Sequence, residues 1–330
     1  MINRKFTTIF FMKLLMKKLI YLLIMLFIIA LISFIAINLA PNSFFASGDL
    51  NPNITEESVA HLKEIYGLDK PLYIQFFSWI LALIQFDFGI SFSSGALVKD
   101  EITSRIPITL TINFISMIGI FMLSLYLGIK AALHKNSLFD KFVGQISLLS
   151  FSLPSFYLAL LGVLIFAVSW EVLPIAGLHS SDIKVDTFEY YIDTAWHLLL
   201  PISIIIFGGI GSLTLYIRSL TLEILKSDYI FFAKTRGLED KKILRYYILP
   251  NLYPPVITLL GLSLPGIIGG SVILETIFSI DGMGLLFFQS ALSRDYPVIM
   301  GILIIGAFLT LLGNILADLI LLKLNPNFKN

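Results

Sequence analysis

Few residues in this sequence could do chemistry, and most of them stand apart from one another. The four histidines are at 61, 134, 179 and 197, and there is no cysteine, so disulfides and thiolate metal sites are excluded. His61 and His179 are isolated, and neither has the neighbours a metal ligand needs. No Gly-Lys dipeptide occurs, which rules out a G-x-x-x-x-G-K-[ST] phosphate loop; H-E-x-x-H and G-x-S-x-G are absent as well. The one dense group of charges is Lys234, Arg236, Glu239, Asp240, Lys241, Lys242 and Arg245, set around Gly237 in the stretch FFAKTRGLEDKKILRYYILP (Phe231–Pro250). Mixed charge beside exposed aromatic residues suits recognition rather than bond breaking. Anionic headgroups would account for the lysines alone. They do not account for Glu223, Asp228, Glu239 and Asp240, the central glycine, or Phe231 and Phe232. A docking surface for another protein fits all of them.

Two short helices must hold this cluster. Asp228 to Arg236 reads as the first, with Gly237 at the position after its end where a left-handed backbone is needed. The second starts with Glu239 and Asp240 at its positive end, and Lys241, Lys242 and Arg245 follow towards its negative end. Leu238, Ile243, Leu244, Tyr247 and Ile248 form its apolar side, and Pro250, helped by Pro254 and Pro255, is expected to stop it.

What surrounds the cluster is lipid-like. Only 14% of the 330 residues are charged and 57% are hydrophobic. A helix needs about 20 apolar residues to cross a bilayer. Six runs meet that length: 19–39, 107–129, 142–169, 198–217, 252–274 and 298–317. These runs contain no Asp, Glu, Lys, Arg or His, although His197, Glu275 and Asp318 flank them. Charges inside spans mark proton relays and ion-coupled carriers, so this chain is not expected to harvest an ion gradient. The first run follows Lys13, Lys17 and Lys18, but it is longer than a signal-peptide core and lacks a good cleavage site, so it reads as an uncleaved span.

Orientation follows from lysine and arginine bias. With the N-terminus inside, segments 1–18, 130–141, 218–251 and 318–330 are cytoplasmic and carry 17 of the 23 basic residues. Both termini are then cytoplasmic. Extracytoplasmic segments are 40–106, 170–197 and 275–297. In the first, Thr55 to Gly67 reads as a short amphipathic helix, and Leu72–Phe86 is apolar but too short to span, so it lies at the interface or packs on the bundle. The loop 170–197 is acidic, with Glu171, Asp182, Asp186, Glu189 and Asp193 against Lys184; it reads as a solvated surface. Small residues in Phe207–Ser212 and Gly266–Ser271, and Ser147, Ser150, Ser152, Pro154 and Ser155, either pack helices tightly or line a pathway. Pro154 can kink its helix.

The segment DYIFFAKTRGLEDKKILRYYILPN resembles the cytoplasmic signature loop of ABC-importer permeases, E-A-A-x3-G-x9-I-x-L-P in family terms. Ala233, Gly237, Leu249 and Pro250 match; Phe231 and Phe232 replace the E-A pair, and Tyr247 stands for the isoleucine. NLAPNS (Asn38–Ser43), YGLDKPL (Tyr66–Leu72), FDFGIS (Phe86–Ser91), LPSF (Leu153–Phe156), LPIAG (Leu173–Gly177), Glu275–Gly301 and LNPNF (Leu324–Phe328) are similar to the dipeptide, oligopeptide and nickel branch, B-type subunit.

The resemblance implies an all-α membrane protein with six transmembrane helices in the type I importer permease fold, in a bacterial or archaeal plasma membrane. It implies a homologous C-type permease partner, two cytoplasmic ATPases that carry the ATP and Mg, and an extracytoplasmic solute-binding protein. The chain itself would be no enzyme and would bind no cofactor, metal or nucleic acid, meeting only lipid and its partner proteins. Phe231, Phe232, Ala233, Lys234, Arg236, Gly237, Leu238, Glu239, Lys242, Leu249 and Pro250 would form the ATPase-coupling loop. Asp281, Gly282, Met283, Gly284, Arg294, Asp295 and Tyr296 would form an outer gate or meet the binding protein. Di- or oligopeptides are the expected cargo, with nickel or a metal chelate the alternative. A self-contained channel or ion-driven carrier is the competing class and would pass solute without ATPase partners.

Overall fold

The structure is a computed structural model of the 330-residue chain and describes residues 2–39, 70–180, 183–184, 187–264, 266 and 271–324. The expected helix at Thr55–Gly67 and the tail Asn325–Asn330 lie outside the described residues. The described residues are helical, with one isolated bridge between Ile90 and Leu97. Among them, 4 helices are long and apolar enough to cross a membrane, and up to 5 spans result if one bent pair counts as a single span. The chain divides into two compact units: residues 1–107 with 282–315, and residues 108–281 with 316–330.

In the first unit, α1 (Ile2–Leu39) turns Leu19, Ile20, Leu23, Ile24, Phe27 and Ile28 outward. That is the all-apolar surface a lipid-facing helix requires. The short apolar run forms α2 (Leu72–Ile84), which packs on α1. Phe76 is buried with its ring 5.7 Å from Phe27 and 5.3 Å from Phe34, while Trp79 stacks on Phe34 at 6.0 Å. The helix α3 (Val98–Leu133) brings Val98 and Ile102, both fully buried, against Met283 and Leu286 of α11 (Met283–Ser293) and Val298 and Ile302 of α12 (Tyr296–Leu324). Gly301 permits this approach: a Cβ there would stand 2.8 Å from Val98 and 2.9 Å from Ile102.

The second unit is built on α6 (Phe188–Leu225). A Cβ on Gly128 of α3 would lie 2.8 Å from the Thr214 carbonyl oxygen of α6, and Gly209 of α6 faces Ile120 of α3 just as closely. On another side, Gly211 lies against the Ser147 carbonyl of α4 (Leu138–Ser152), and Ser150 Oγ donates to the Phe207 carbonyl. Small residues therefore set the helix spacing here, as lipid-embedded packing requires. Gly208 has nothing within 4 Å of a Cβ position, so the small-residue patch serves packing on two sides and leaves a third open.

The run 142–169 does not form one straight span. It bends by 104° between α4 and the helix that follows it. Leu153 is extended (φ −88°, ψ 131°), as a residue before proline prefers, and Pro154 opens α5 (Ser155–Gly162). A π-helical turn, Val163–Ser169, completes it. The run 252–274 appears as α9 (Leu249–Ser263) and α10 (Val272–Ile277), with most residues between them outside the described set.

Candidate functional site

The charged stretch folds as an elbow with its own small core. Its first helix, α7 (Asp228–Thr235), has Asp228 in the first turn and Lys234 in the last, matching the helix dipole. Gly237 is left-handed at φ 75°. Its N–H donates to the Lys234 carbonyl at 2.9 Å, and the Leu238 N–H donates to the Ala233 carbonyl at 3.2 Å. This is a Schellman ending, with both late carbonyls satisfied. The chain then enters α8 (Asp240–Ile243), with Glu239 extended before it.

Pro250 does not stop this helix. The chain runs on through a π-helical turn, Leu244–Ile248, into α9, where Pro250 takes a first-turn position. A proline ring clashes with the carbonyl four residues back in a regular helix. The wider π turn and the first-turn placement relieve that conflict.

Ile230, Ala233, Ile243 and Ile248 are all buried, together with Ile224 of α6 and Leu252 of α9. Half-buried Leu238, Leu244 and Tyr247 close around them, as do Leu220 of α6 and Ile129 of α3. The elbow is thus anchored to the ends of two long helices. Its other face is open. Phe231 and Phe232 are 64% and 60% exposed, edge to face at 5.9 Å, and Tyr246 is 64% exposed beneath the Arg245 guanidinium. Lys234, Arg236, Glu239, Lys241, Lys242 and Pro250 are exposed beside them, and Leu249 is half-buried. Fully burying a phenylalanine is worth about 1.5–3 kcal/mol, so covering these two adjacent exposed rings would be favourable.

The outer-loop residues differ in exposure. Asp281 is exposed, but Gly282, Met283 and Gly284 are buried at the start of α11, where Gly282 (φ −109°) precedes the first turn. Arg294, half-buried, ends α11 in a left-handed conformation (φ 57°), and half-buried Tyr296 begins α12. Asp295 is 2% exposed. Its carboxylate accepts from Ser91 Oγ at 2.6 Å, from the Phe92 N–H at 3.2 Å and from the Ser93 N–H at 3.1 Å. Asp295 is an internal anchor.

Two further buried acids escaped sequence reading, because each sits beside an apolar run. Glu275 is buried and accepts from Thr109 Oγ1 at 3.2 Å. Asp140, also buried, receives the Arg218 guanidinium in a fork: Nε to Oδ1 at 2.5 Å and Nη2 to Oδ2 at 2.7 Å. The S-x-x-D spacing of Ser137 and Asp140 does signal a helix start; a partner 78 positions away carries no local signal.

Beside the close packing of α3 and α6 lies an open groove of about 510 Å³. Asn113, Ser116, Gly209, Ser212, Tyr216 and Ser263 contribute its polar and small surface, and no lining residue is charged. Ser116 Oγ is buried without a hydrogen-bond partner. Among the described residues, no group of three or more His, Cys, Asp or Glu converges as a metal site would require.

The chain is similar to known proteins. Residues 122–330 match the model of the binding-protein-dependent transport system inner membrane component, and residues 11–113 match its N-terminal companion. The oligopeptide transport system permease protein AppB of Bacillus subtilis is 33% identical, over 91% of this chain and 94% of its own length. OppB of Haemophilus influenzae is 33% identical over 96% of this chain and 99% of its own. The dipeptide permease DppB of Lactococcus lactis is 31% identical over 96% and 99%. Among solved structures, the inward-facing MetNI methionine ABC transporter matches with a TM-score of 0.54 at 17% identity, over 68% of this chain and 96% of that one. The likeness shows a shared fold.

Proposed function

We propose a mechanism from one established premise: the chain belongs to the family of binding-protein-dependent transport system inner membrane components, and it is a permease subunit of an ABC importer. It is a transport component, not an enzyme. The elbow is the observation that carries the rest. Two exposed phenylalanines and a surrounding cluster of both charges stand on a rigid, separately cored element seated on α3 and α6. Such an element is suited to receive a cytoplasmic ATPase and pass its movement to the spans. ATP and Mg²⁺ would reside in two such ATPases, and a homologous permease would supply the other half of the path. An extracytoplasmic binding protein would deliver the solute. The full topology would be six spans of the type I importer class with both termini cytoplasmic, in a bacterial or archaeal plasma membrane.

Peptides are the cargo this reading favours. Relatives named for oligopeptide and dipeptide transport match over nearly the whole chain. The groove between α3, α6 and α9 is uncharged and mainly apolar, with hydroxyl groups from Ser116, Ser212, Tyr216 and Ser263. That chemistry pairs with peptide N–H and C=O groups and offers no ligand set for a bare metal ion. Reconstitution with the partner permease, ATPases and binding protein tests it. Radiolabelled peptide should enter vesicles only with ATP inside the ATPase compartment. Equal flux from this chain alone would overturn the subunit reading, and nickel uptake without peptide uptake would overturn the cargo.

A further inference from the structure

The Arg218–Asp140 pair joins three things at one point. Asp140 Oδ1 takes Arg218 Nε, while Oδ2 takes both Arg218 Nη2 at 2.7 Å and the Asn136 N–H at 2.9 Å. Asn136 is left-handed (φ 66°) in the tight turn between α3 and α4, and Ser137 Oγ accepts from the Asp140 N–H at 3.2 Å. Lys130, near the end of α3, lies 4.9 Å over the Phe139 ring of α4, which fixes the same corner from the other side. Arg218 stands on α6 just before Leu220 and Ile224, the residues on which the elbow core is seated. A forked guanidinium–carboxylate pair resists both sliding and twisting, which a single contact does not.

We propose that Asp140 and Arg218 are positioning residues for energy coupling: a strut that makes α4 move with the end of α6 when the elbow is displaced. The path runs from the elbow core through Leu220 and Ile224 to Arg218, across to Asp140, and into the α3–α4 turn and α4. Near its far end α4 is held to α6 by Ser150 and by the close approach at Gly211, and beyond that it bends by 104°. With the strut in place the helix is fixed to α6 along its length up to the bend, so elbow movement reaches the bend. With the strut gone, the cytoplasmic half of α4 is released, and elbow displacement is absorbed there. The proposal rests on the elbow being the ATPase contact.

The experiment uses the complete transporter in proteoliposomes with its binding protein, measuring peptide uptake and ATP hydrolysis in the same vesicles. Asp140→Asn keeps size, and Arg218→Lys keeps the charge while removing the fork. Each should lower peptide carried per ATP by about tenfold, within the range of a coupling free energy between two sites, while ATP hydrolysis changes by less than about twofold. The exchange Asp140→Arg with Arg218→Asp should recover much of the ratio. An unchanged peptide-to-ATP ratio in both single variants overturns the strut. A proportional loss of uptake and hydrolysis without rescue by the exchange also overturns it and leaves the pair a folding contact. Failure of the elbow reading shows separately, as ATPase subunits that still associate after Phe231→Ala and Phe232→Ala.

Discussion

Ser91 Oγ donates to the Asp295 carboxylate at 2.6 Å across 204 positions of sequence. The bond closes the turn around Ile90 and Leu97 onto the start of α12, with the Phe92 and Ser93 N–H groups sharing the same acid. Removing the carboxylate strands three donors at once. Asp295→Ala should therefore destabilise the protein by about 3 kcal/mol, the range for a buried charge-assisted group. Exposed Gln289→Ala on α11 should leave stability unchanged within about 0.5 kcal/mol. Thermal unfolding in detergent, read for both variants, separates an anchor from a surface residue.

Gly237 is a conformational requirement and not a steric one. Its φ is +75° and nothing lies within 4 Å of a Cβ. Replacement by Asn, which visits the left-handed region readily, should keep most transport. Gly237→Val should cost about 1–2 kcal/mol or more locally and reduce ATP-driven uptake sharply while the protein still reaches the membrane. Normal uptake by Gly237→Val with ATPases bound would break the link between elbow shape and coupling.

Phe231 and Phe232 should matter to association and not to folding. Both are more than half exposed, so truncation to alanine removes little intramolecular packing. As central aromatic anchors they should each contribute about 2 kcal/mol or more to ATPase binding, roughly thirtyfold in affinity. Copurification of the ATPases with each variant, alongside an unchanged unfolding temperature, is the measurement.

The groove predicts a block that spares assembly. Ser212 is exposed along it, next to Gly209 and Tyr216. Ser212→Trp would place a large ring in a space of about 510 Å³. Peptide uptake should fall severely while ATPase copurification stays at the unaltered level; uptake near normal would remove the groove from the transport path.

Local rules were readable from the sequence, and long-range partners were not. Asp228, Lys234, Gly237 and Glu239 follow capping and dipole rules within a few residues, so the elbow's first helix and its glycine ending were legible. The onward course through Pro250 was not, because a π turn has no composition of its own. Pro154 announced a kink, but the 104° angle depends on how α5 packs. Asp295, Glu275 and Asp140 looked like loop or boundary acids; their burial comes from Ser91, Thr109 and Arg218, at separations of 204, 166 and 78 positions. The absence of charge within the apolar runs described the lipid-facing chain well and concealed the buried charges at its ends.

Gly208 and Gly211 stand three positions apart on α6 and test whether the small residues there pack helices or line space. A Cβ on Gly211 would press into the Ser147 carbonyl and stand 2.9 Å from Ser150 Oγ, both on α4, whereas Gly208 has nothing within 4 Å. The obstructing atoms at Gly211 include backbone, which cannot rotate away, so even Gly211→Ala forces α4 and α6 apart. Helix separation also lengthens the Ser150 to Phe207 hydrogen bond. Overpacking of this kind costs about 1–3 kcal/mol per added group, and Gly211→Leu adds more than one. Gly211→Leu should therefore reduce the amount of intact protein in the membrane several-fold. Gly208→Leu should accumulate normally, since a helix gains from replacing glycine by about 0.5–1 kcal/mol. Quantifying membrane-inserted protein by immunoblot after expression of each variant decides it: equal accumulation of the two would mean that α4 and α6 tolerate separation and that the close approach at Gly211 does not hold the pair together.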